Sequence, residues 1–384
     1  MNILVSFPYL FQDQSKIKQT IRKETMTNEE ITHTIQAHLD DLTKPKGSLG
    51  KLEDYARKLA VIQHRVPPKI EKKAVFVLAG DHGIVEEGVS LYPKEVTAQM
   101  MYNFMAGGAG INVLARACGF DVFAVDAGVD ADFPNKWINP NPHQNKNNSP
   151  VFFNMKACRG SANFFKQPAL TEKEFTTCLE NGKALAKFAI QHGYDMVALG
   201  DMGIGNTSSA AALAIAFGLP AEAVIDRGTG IDDAMLAHKY EIITQSVAKH
   251  CNPQQNCSPE YLGRCFAGPE LATAAGLMLG LKDSGIAYMI DGFPITSAAL
   301  LASKIDNTIT SYCFAGHESH VKGHKVILDS LGLEPVVKLE MRLGEGTGAV
   351  IGGFIVSLGA HIASEMATFS SMKISQATKE ELDY

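Results

Sequence analysis

Short, unbroken apolar runs that end in glycine and aspartate limit the fold of this chain more than any other feature. Ala74–Ala79 leads directly into Gly80-Asp-His-Gly83, and Met196–Leu199 leads into Gly200-Asp-Met-Gly203. Runs of this length between turn residues are typical of strands buried on both faces of a parallel sheet. Further runs that fit this description are Val122–Val125, Ala287–Ile290 and Tyr312–Ala315.

Segments with helical periodicity separate these runs. Helices are predicted, among other places, from Lys51 to about Gln63, over Glu95–Ala117 with a break at Gly107-Gly108, and over Pro269–Leu281. Strands that alternate with helices pair in parallel through right-handed crossovers. The sequence therefore predicts an α/β fold with a doubly wound, mostly parallel sheet.

The chain divides into one large and one small predicted domain. Residues 71–350 should form the sheet domain, and residues 26–70 should form a small helical domain together with C-terminal helices in 351–384. Thr27 stands where the N-cap of the first helix is expected. Residues 1–25 are polar and aperiodic over most of their length, so we expect a dispensable extension. From about 131 to 168 the pattern gives way to Asn, Pro, Lys and Gln, which predicts a surface insertion.

Composition and charge restrict the classes of partner. Hydrophobic residues make up 46% and charged residues 20% of the 384 residues, as in globular proteins with a large core. The formal charge of −6, with scattered Lys and Arg, argues against a nucleic-acid partner. Seven cysteines without a C-x-x-C pair favour reduced thiols and a cytoplasmic location. The most apolar stretch, Ala349–Ala363, is interrupted by glycines and His361 and is short for a bilayer, so no membrane segment is expected.

One carboxylate stands between glycines in the segment Gly344-Glu345-Gly346-Thr-Gly348. It precedes a small-residue apolar run that indicates a buried helix, whose first amides can face an anion. A carboxylate in such a partly desolvated setting gains basicity, which suits a general base. A purely capping role for Glu345 is the alternative that these residues leave open.

The loop from Gly200 to Thr207 combines glycines, Asn206 and hydroxyl side chains before an Ala-rich helix. Such a loop can bind one phosphate through its amides and hydroxyls. Its spacing is not a dinucleotide fingerprint, and no G-x-x-x-x-G-K-[ST] motif occurs. We therefore expect a mononucleotide or sugar phosphate without a required metal. A glycine turn that only allows tight strand–helix packing is the alternative.

Two strand ends share the pattern Gly-Asp-x-Gly-Ile, at Gly80–Ile84 and Gly200–Ile204, and should border one cleft. Asp81 and His82 can act as an acid–base pair, or Asp81 can simply satisfy loop amides. His317, His320 and His324 would share one face if they were helical, which would permit a zinc site. Because no known zinc signature is completed there, phosphate-facing or capping roles are preferred for this segment.

Several motifs then occur in the order of a known family. They are Lys44-Pro-x-Gly-Ser-Leu-Gly50, Gly80-Asp-His-Gly83, Gly88-Val-Ser90 with Tyr92-Pro93 and Val96-Thr97, Gly107-Gly108-Ala109 through Arg116, Gly203-Ile-Gly-Asn-Thr207, Gly228-Thr-Gly230 and Leu343-Gly-Glu-Gly-Thr-Gly348. From about Met26 to its C-terminus the chain resembles the nicotinate-nucleotide:dimethylbenzimidazole phosphoribosyltransferase family of cobalamin lower-ligand synthesis. The resemblance implies a Rossmann-like sheet with a small helical domain, a homodimer and no cofactor. It implies phosphoribosyl transfer from nicotinate mononucleotide to 5,6-dimethylbenzimidazole, with inversion at the anomeric carbon.

The resemblance also assigns residues. Glu345 matches the family's catalytic base, and Asp201 stands where the family usually has Glu, so it either assists Glu345 or orders its loop. The expected nucleotide-binding and phosphate-binding residues are Gly203, Gly205, Asn206, Thr207, Lys239, Gly316 and Ser319. The expected benzimidazole-binding residues are Ser90, Tyr92, Gln99 and Leu343.

Two alternatives stay open at this point. The same transfer to benzimidazole, adenine or a phenol is one, since a methyl group in an apolar pocket changes selectivity by only about 1–3 kcal/mol. A non-catalytic nucleotide-binding module on the same fold is the other. The position of Glu345 between glycines argues against the second alternative, because a sensor does not need a base there.

Overall fold

The computed structural model describes residues 26–137, 149–227, 230, 232–251 and 257–372. The predictions for the extension 1–25, for most of the Asn-rich stretch, for Gly228-Thr229 and for the end of the chain after 372 lie outside these residues.

The described residues form one sheet of seven parallel strands in the order β3-β2-β1-β4-β5-β6-β7. The strands are β1 (Lys73–Gly80), β2 (Phe120–Gly128), β3 (Val151–Asn154), β4 (Met196–Met202), β5 (Ala287–Ile290), β6 (Cys313–Glu318) and β7 (Pro335–Lys338). The predicted fold class is confirmed. All five strands predicted from apolar runs are present, and most of them extend beyond the predicted run.

Helices cover both faces of the sheet. Helices packed on one face include α2 (Lys51–Gln63), α3 (Glu95–Ala106), α4 (Gly110–Cys118) and α13 (Thr347–Glu365). The other face carries α5 (Glu172–Gln191), α6 (Asn206–Ala216), α7 (Ala221–Val224), α8 (Asp233–His250), α9 (Pro259–Phe266), α10 (Pro269–Leu281), α11 (Phe293–Ile305) and α12 (Lys322–Leu331). Short 3₁₀ helices span Gly83–Glu87, Asn135–Trp137 and Asn307–Tyr312. The chain is thus doubly wound.

The helical layer near the N-terminus begins where the sequence predicts it. The first helix, α1 (Asn28–Asp41), has Thr27 as N-cap, and Thr27 and Glu30 bond reciprocally to each other's backbone amides. A separate apolar cluster joins α1 and α2 to the end of α13, with Ile35, Leu39, Ala56 and Ala363 buried in it. The short α14 (Phe369–Met372) follows, next to a β-bridge between Leu42 and Thr368. N-terminal and C-terminal helices therefore pack together, as expected for a small helical layer.

Two edge strands were not predicted. β3 lies inside the range expected to be a surface insertion, where Val151, Phe152 and Phe164 are buried. The range from 149 to 168 therefore contributes structure to the sheet edge, and the insertion prediction was too broad there. β7 is half-exposed, and the first of its four residues is a proline. Strands of four residues at a sheet edge contain too few buried apolar residues to be recognised from the sequence.

The apolar run at the end of the chain forms a longer helix than its sequence suggests. α13 spans 19 residues and is long and apolar enough to cross a membrane by length and composition alone, so the length argument against a membrane segment was wrong. In the structure α13 packs against α2, α4 and β6, and most of its apolar window is buried inside the protein. Core helices of water-soluble proteins pass the same test.

The sheet order places β1 beside β4, although more than one hundred residues separate them in sequence. The chain winds outward from β1 to β3 and then returns through α5 to β4, so the winding direction reverses between β1 and β4. Ligands of doubly wound sheets bind at this reversal, just beyond the carboxyl ends of the strands. The two Gly-Asp strand ends both lie at this point.

Candidate active site

The turn after β4 presents backbone groups at the start of α6. Gly205 caps this helix with φ of 96°, in the left-handed region that favours glycine. Gly203 fits tightly, because a Cβ there would lie 2.3 Å from the carbonyl oxygen of Gly80. The hydroxyl of Thr97 accepts a bond from the Ile204 amide at 3.2 Å and fixes the turn from α3. The amide of Asn206 donates to the Gly203 carbonyl at 3.1 Å, and the amide of Thr207 donates to Asn206 Oδ1 at 2.7 Å, so internal hydrogen bonds hold the first residues of α6 in place.

A cavity opens beside this turn and joins the two groups of residues expected to bind nucleotide and benzimidazole. It is lined by Val89, Ser90, Tyr92, Gly203, Ile204, Gly205, Asn206, Thr207, Arg227 and Lys239. Ser90 and Tyr92 are also linked locally, since the Ser90 hydroxyl accepts from the Tyr92 amide at 3.3 Å. Seven of the predicted site residues therefore meet at one cavity.

Lys239 supplies a buried cation to this cavity. Its ammonium donates to the Thr207 hydroxyl and to the Asp226 carbonyl, each at 3.2 Å. Burial lowers the pKa of Lys239 to about 8, although the nearby charge of Asp226 opposes this effect. An anion bound at the start of α6 would favour the protonated form.

Glu345 lies in a strained turn at the start of α13. Gly344, Glu345 and Gly346 have φ of 85°, 64° and 91°, and for Glu345 this left-handed conformation is unusual. The Glu345 amide donates to the Asp201 carbonyl at 3.3 Å, which ties this turn to the end of β4. Strained non-glycine residues of this kind cluster at functional sites.

Glu345 is buried, with 5% of the residue exposed. Its Oε2 accepts from the backbone amide of Ile111 at 3.1 Å, and among the described residues no donor contacts Oε1. Burial raises the pKa of Glu345, the Ile111 amide opposes this rise, and the charge of Asp291 adds to it. A carboxylate with raised pKa and one unoccupied oxygen can accept a proton from a ligand.

Asp291, directly after β5, fixes the turn that carries Glu345. Its carboxylate is fully buried and accepts from the amides of Gly346, Gly348 and Ala349 at 2.7–3.0 Å. The imidazole of His317 lies 3.5 Å from the same carboxylate. Asp291 thus caps α13 and holds a negative charge behind Glu345.

Asp201 connects the Glu345 turn with the cavity. Its Oδ2 accepts from the Asn206 side-chain amide at 2.6 Å, and Asn206 lines the cavity. Burial raises the pKa of Asp201 to about 8, with the charges of Asp291 and Glu270 adding to this effect and the Asn206 bond opposing it. This rise in pKa favours the protonated form of Asp201 at neutral pH.

A buried ion pair lies behind the turn after β4. The Nε2 of His82 and the Oε1 of Glu270 are 2.7 Å apart, and both side chains are buried. Burial alone would lower the pKa of His82, but the charge and hydrogen bond of Glu270 outweigh it, so the pKa is raised. A Cβ on Gly203 would lie 3.1 Å from this imidazole. The partner of His82 is therefore Glu270, whereas Asp81 accepts from the Asp130 amide at 2.8 Å.

This chain is similar to known proteins over most of its length. Residues 25–374 match a family described as phosphoribosyltransferase. The chain is 42% identical over 361 residues to the nicotinate-nucleotide:dimethylbenzimidazole phosphoribosyltransferase of Geobacter sulfurreducens. These residues cover 94% of this chain and 98% of the relative. The chain belongs to this phosphoribosyltransferase family.

Another relative and a solved structure agree with the family assignment. The enzyme of the same name from Chlorobaculum tepidum is 42% identical over 346 residues, which cover 90% of this chain and 94% of the relative. A crystal structure of CobT from Thermus thermophilus is 40% identical with a TM-score of 0.83, and the match covers 91% of this chain and 100% of that one. The chain is accordingly a glycosyltransferase of the pentosyltransferase class.

Four residues that the family resemblance assigns to binding do not line the cavity. Gln99 and Leu343 are exposed, and the Leu343 side chain lies beside Gly110 at the start of α4. Gly316 on β6 lies so close to α13 that a Cβ there would be 2.6 Å from the Ala349 Cα. The Ser319 amide donates to His324 Nδ1 at 2.8 Å. The binding roles of these four residues remain predictions.

The three histidines considered for zinc do not share a helix face. His317 lies on β6, His320 follows that strand, and His324 belongs to α12. His320 pairs with Glu340 at 2.8 Å, whereas the Nε2 of His324 is 2.9 Å from the Thr296 hydroxyl. The described part of the chain contains no cluster of three or more side chains suited to a metal.

The sequence prediction assigned no role to five residues that take part in this site, namely Thr97, Ile111, Arg227, Glu270 and Asp291. Asp291 carried a recognisable signal, since it follows the apolar run Ala287–Ile290 as Asp81 and Asp201 follow theirs. Glu270 sits in the first turn of an apolar helix, and Ile111 acts through its backbone, so the side-chain pattern gave no indication of either role.

Proposed function

We propose that this enzyme transfers the phosphoribosyl group of nicotinate mononucleotide to 5,6-dimethylbenzimidazole, giving α-ribazole 5'-phosphate and nicotinate. The names of its relatives support these substrates. The observation that carries the proposal is the placement of Glu345, whose turn is bonded through Asp201 to Asn206, at the start of α6 and beside the cavity. A basic carboxylate next to an anion-binding helix start is what this reaction requires.

The proposed chemistry needs one base. One ring nitrogen of the benzimidazole attacks the anomeric carbon, and the proton on the other nitrogen passes to the Glu345 carboxylate. The bond from the anomeric carbon to the pyridinium nitrogen breaks, and its electron pair returns to the departing nicotinate ring. Positive charge develops on the ribose during this step, and a nearby carboxylate stabilises it. Attack from the face opposite the leaving group inverts the β configuration to α.

Substrate binding is proposed to follow the two sides of the cavity. The phosphate binds at Gly203, Gly205, Asn206 and Thr207, with its charge balanced by Lys239, and Gly316 and Ser319 form a second wall. Ser90, Tyr92, Gln99 and Leu343 surround the benzimidazole, where apolar contact with a flat ring provides most of the affinity. Holding both rings in line with the anomeric carbon supplies the orientation that such a transfer requires.

Protonated Asp201 is proposed to have an ordering role. A neutral carboxyl can accept the Asn206 amide without placing another negative charge beside the phosphate. Its backbone carbonyl also accepts from the Glu345 amide. Asp201 therefore couples the base to the phosphate turn, and it does not compete with Glu345 for the substrate proton.

We further propose that the enzyme works in the cytoplasm as a homodimer without a cofactor, metal, membrane or nucleic-acid partner. The proton transfer and the displacement described above need only the two substrates and protein side chains. The alternative acceptor bases benzimidazole, adenine and phenol remain to be compared. Measuring rates for each with the purified enzyme would rank them.

The test is incubation of the purified protein with nicotinate mononucleotide and 5,6-dimethylbenzimidazole, followed by mass detection of α-ribazole phosphate. Glu345→Gln should bind nicotinate mononucleotide with unchanged affinity and release nicotinate about 10²-fold more slowly or worse, as expected for a lost general base. Absence of product from the wild-type protein would support the non-catalytic module. Near wild-type turnover in Glu345→Gln would remove Glu345 from the role of base.

A further inference from the structure

We propose that the first turn of α4, through the Ile111 amide and the side-chain-free Gly110, is a positioning element that sets the orientation and proton affinity of Glu345. This inference rests on the proposed function, in which Glu345 is the base. It adds to that function the part of the fold that holds the carboxylate in place.

The donor in this contact is available because of the residue that precedes the helix. The N-cap of α4 is Ala109, whose side chain cannot accept a hydrogen bond. Ser, Thr, Asp or Asn at such a position would accept from the second or third helical amide. Asn112 bonds back to the Ala109 amide at 3.1 Å, but the Ile111 amide is left for Glu345, 234 residues later in the chain. A distant carboxylate thus takes the place of a local cap.

The absence of a side chain at Gly110 leaves the space that this contact uses. A Cβ there would lie 2.8 Å from Leu343 Cδ2 and 3.3 Å from Glu345 Oε2. Leu343 has an exposed, flexible side chain that can move aside, whereas Glu345 is held by the strained turn at 344–346. Any side chain at position 110 would therefore press on the carboxylate.

The charged groups around Glu345 give the expected direction of a pH effect. Burial raises the pKa of Glu345, the Ile111 amide on α4 lowers it, and the charge of Asp291 at the end of β5 adds to the rise. Asp201 at the end of β4 contributes its backbone carbonyl to the same turn, and His317 on β6 faces Asp291. Loss of the amide should raise the pKa of Glu345 further. Since the base must be ionised to act, the acid limb of kcat/KM should move to higher pH.

The test compares Ile111→Pro with Ile111→Ala. Proline removes the N–H at the second helical position, where no intrahelical bond is lost and proline is tolerated. Alanine keeps the N–H and removes more apolar bulk from this buried site than proline does, so lost packing alone would affect Ile111→Ala at least as much. The acid limb of kcat/KM should move to higher pH in Ile111→Pro and stay in place in Ile111→Ala. Equal acid limbs in the two variants would overturn the inference.

Gly110→Ala provides a second variant in case proline prevents folding, which circular dichroism would reveal. Alanine is compatible with this helix position, so the protein should fold while kcat falls by about 10-fold or more through displacement of the carboxylate. An unchanged kcat and acid limb in Gly110→Ala would contradict the inference. Failure of the proposed function is a separate result, because it would appear as normal turnover in Glu345→Gln.

Discussion

The backbone of Gly346 lies directly on Gly200, so that a Cβ at position 200 would be 2.2 Å from the Gly346 amide nitrogen. The same Cβ would be 2.4 Å from the carbonyl carbon of Glu345. The turn that carries the proposed base therefore rests on the end of β4 without an intervening side chain. Because both contacts are with backbone atoms, relief by side-chain rotation is impossible.

Gly200→Ala should accordingly displace the turn at 344–346 from β4. We expect kcat to fall by about 10²-fold, since small misplacements of a catalytic group have effects of this size. Overpacking should also cost about 1–3 kcal/mol of stability. Steady-state kinetics and thermal melting test this pair of effects. Unchanged kcat in a folded Gly200→Ala protein would show that the close contact has no role in catalysis.

The sequence predicts the parts of this site that depend on local pattern. Apolar runs identified β1 and β4, and their shared Gly-Asp endings correctly indicated neighbouring strand ends. Contacts between residues that are far apart in the sequence leave no local pattern from which they could be predicted. The bond from Ile111 to Glu345 and the ion pair of His82 and Glu270 join segments more than 180 residues apart, and only the winding of the sheet brings them together. The family resemblance indicated residues that line the cavity, but it did not indicate that Ile111 contacts Glu345 or that Glu270 contacts His82.

The raised pKa of Asp201 predicts a pH dependence of stability. In the folded protein this carboxyl keeps its proton up to a pH of about 8, whereas in the unfolded chain it ionises near its ordinary value of 3.8. The folded state therefore binds more protons between these values, and this group lowers stability as the pH rises through that range.

Asp201→Asn should remove this contribution while keeping an acceptor for Asn206. We expect the variant to gain more in melting temperature, relative to wild type, at pH 8 than at pH 5. Thermal melts at both pH values measure the difference. A gain of equal size at the two pH values would indicate that Asp201 is ionised in the folded protein.

Lys239 should control nucleotide affinity. Lys239→Ala removes the ammonium that contacts Thr207 and should weaken binding of nicotinate mononucleotide by about 10- to 100-fold, the usual range for a hydrogen bond to a charged group. Lys249→Ala is the matched control, because it removes a lysine from the same helix whose contacts are the carbonyls of Phe165 and Lys166. Isothermal titration calorimetry would give both affinities, and equal affinities would remove Lys239 from the phosphate site.

The pH dependence of binding provides a second check on Lys239. Its pKa is about 8 in the unliganded protein, so its ammonium is lost as the pH rises above that value. Affinity of the wild type for nicotinate mononucleotide should therefore fall between pH 7 and pH 9. The decline should be absent in Lys239→Ala, which has no group to deprotonate there.

Glu270→Gln should destabilise the protein through His82. The imidazolium of His82 loses its buried counter-charge in this variant, and an unpaired buried charge costs about 3–5 kcal/mol. Because Glu270 raises the pKa of His82, the pair stabilises the fold fully below the ordinary histidine pKa of 6.5, and this stabilisation is lost as the pH rises through the raised value. The loss of unfolding free energy in Glu270→Gln, measured by urea unfolding, should therefore be larger at pH 5.5 than at high pH.

Glu260→Gln, at an exposed position in α9, is the control and should show no loss of unfolding free energy at either pH. A deficit in Glu270→Gln that does not change with pH would mean that His82 is neutral in the folded protein.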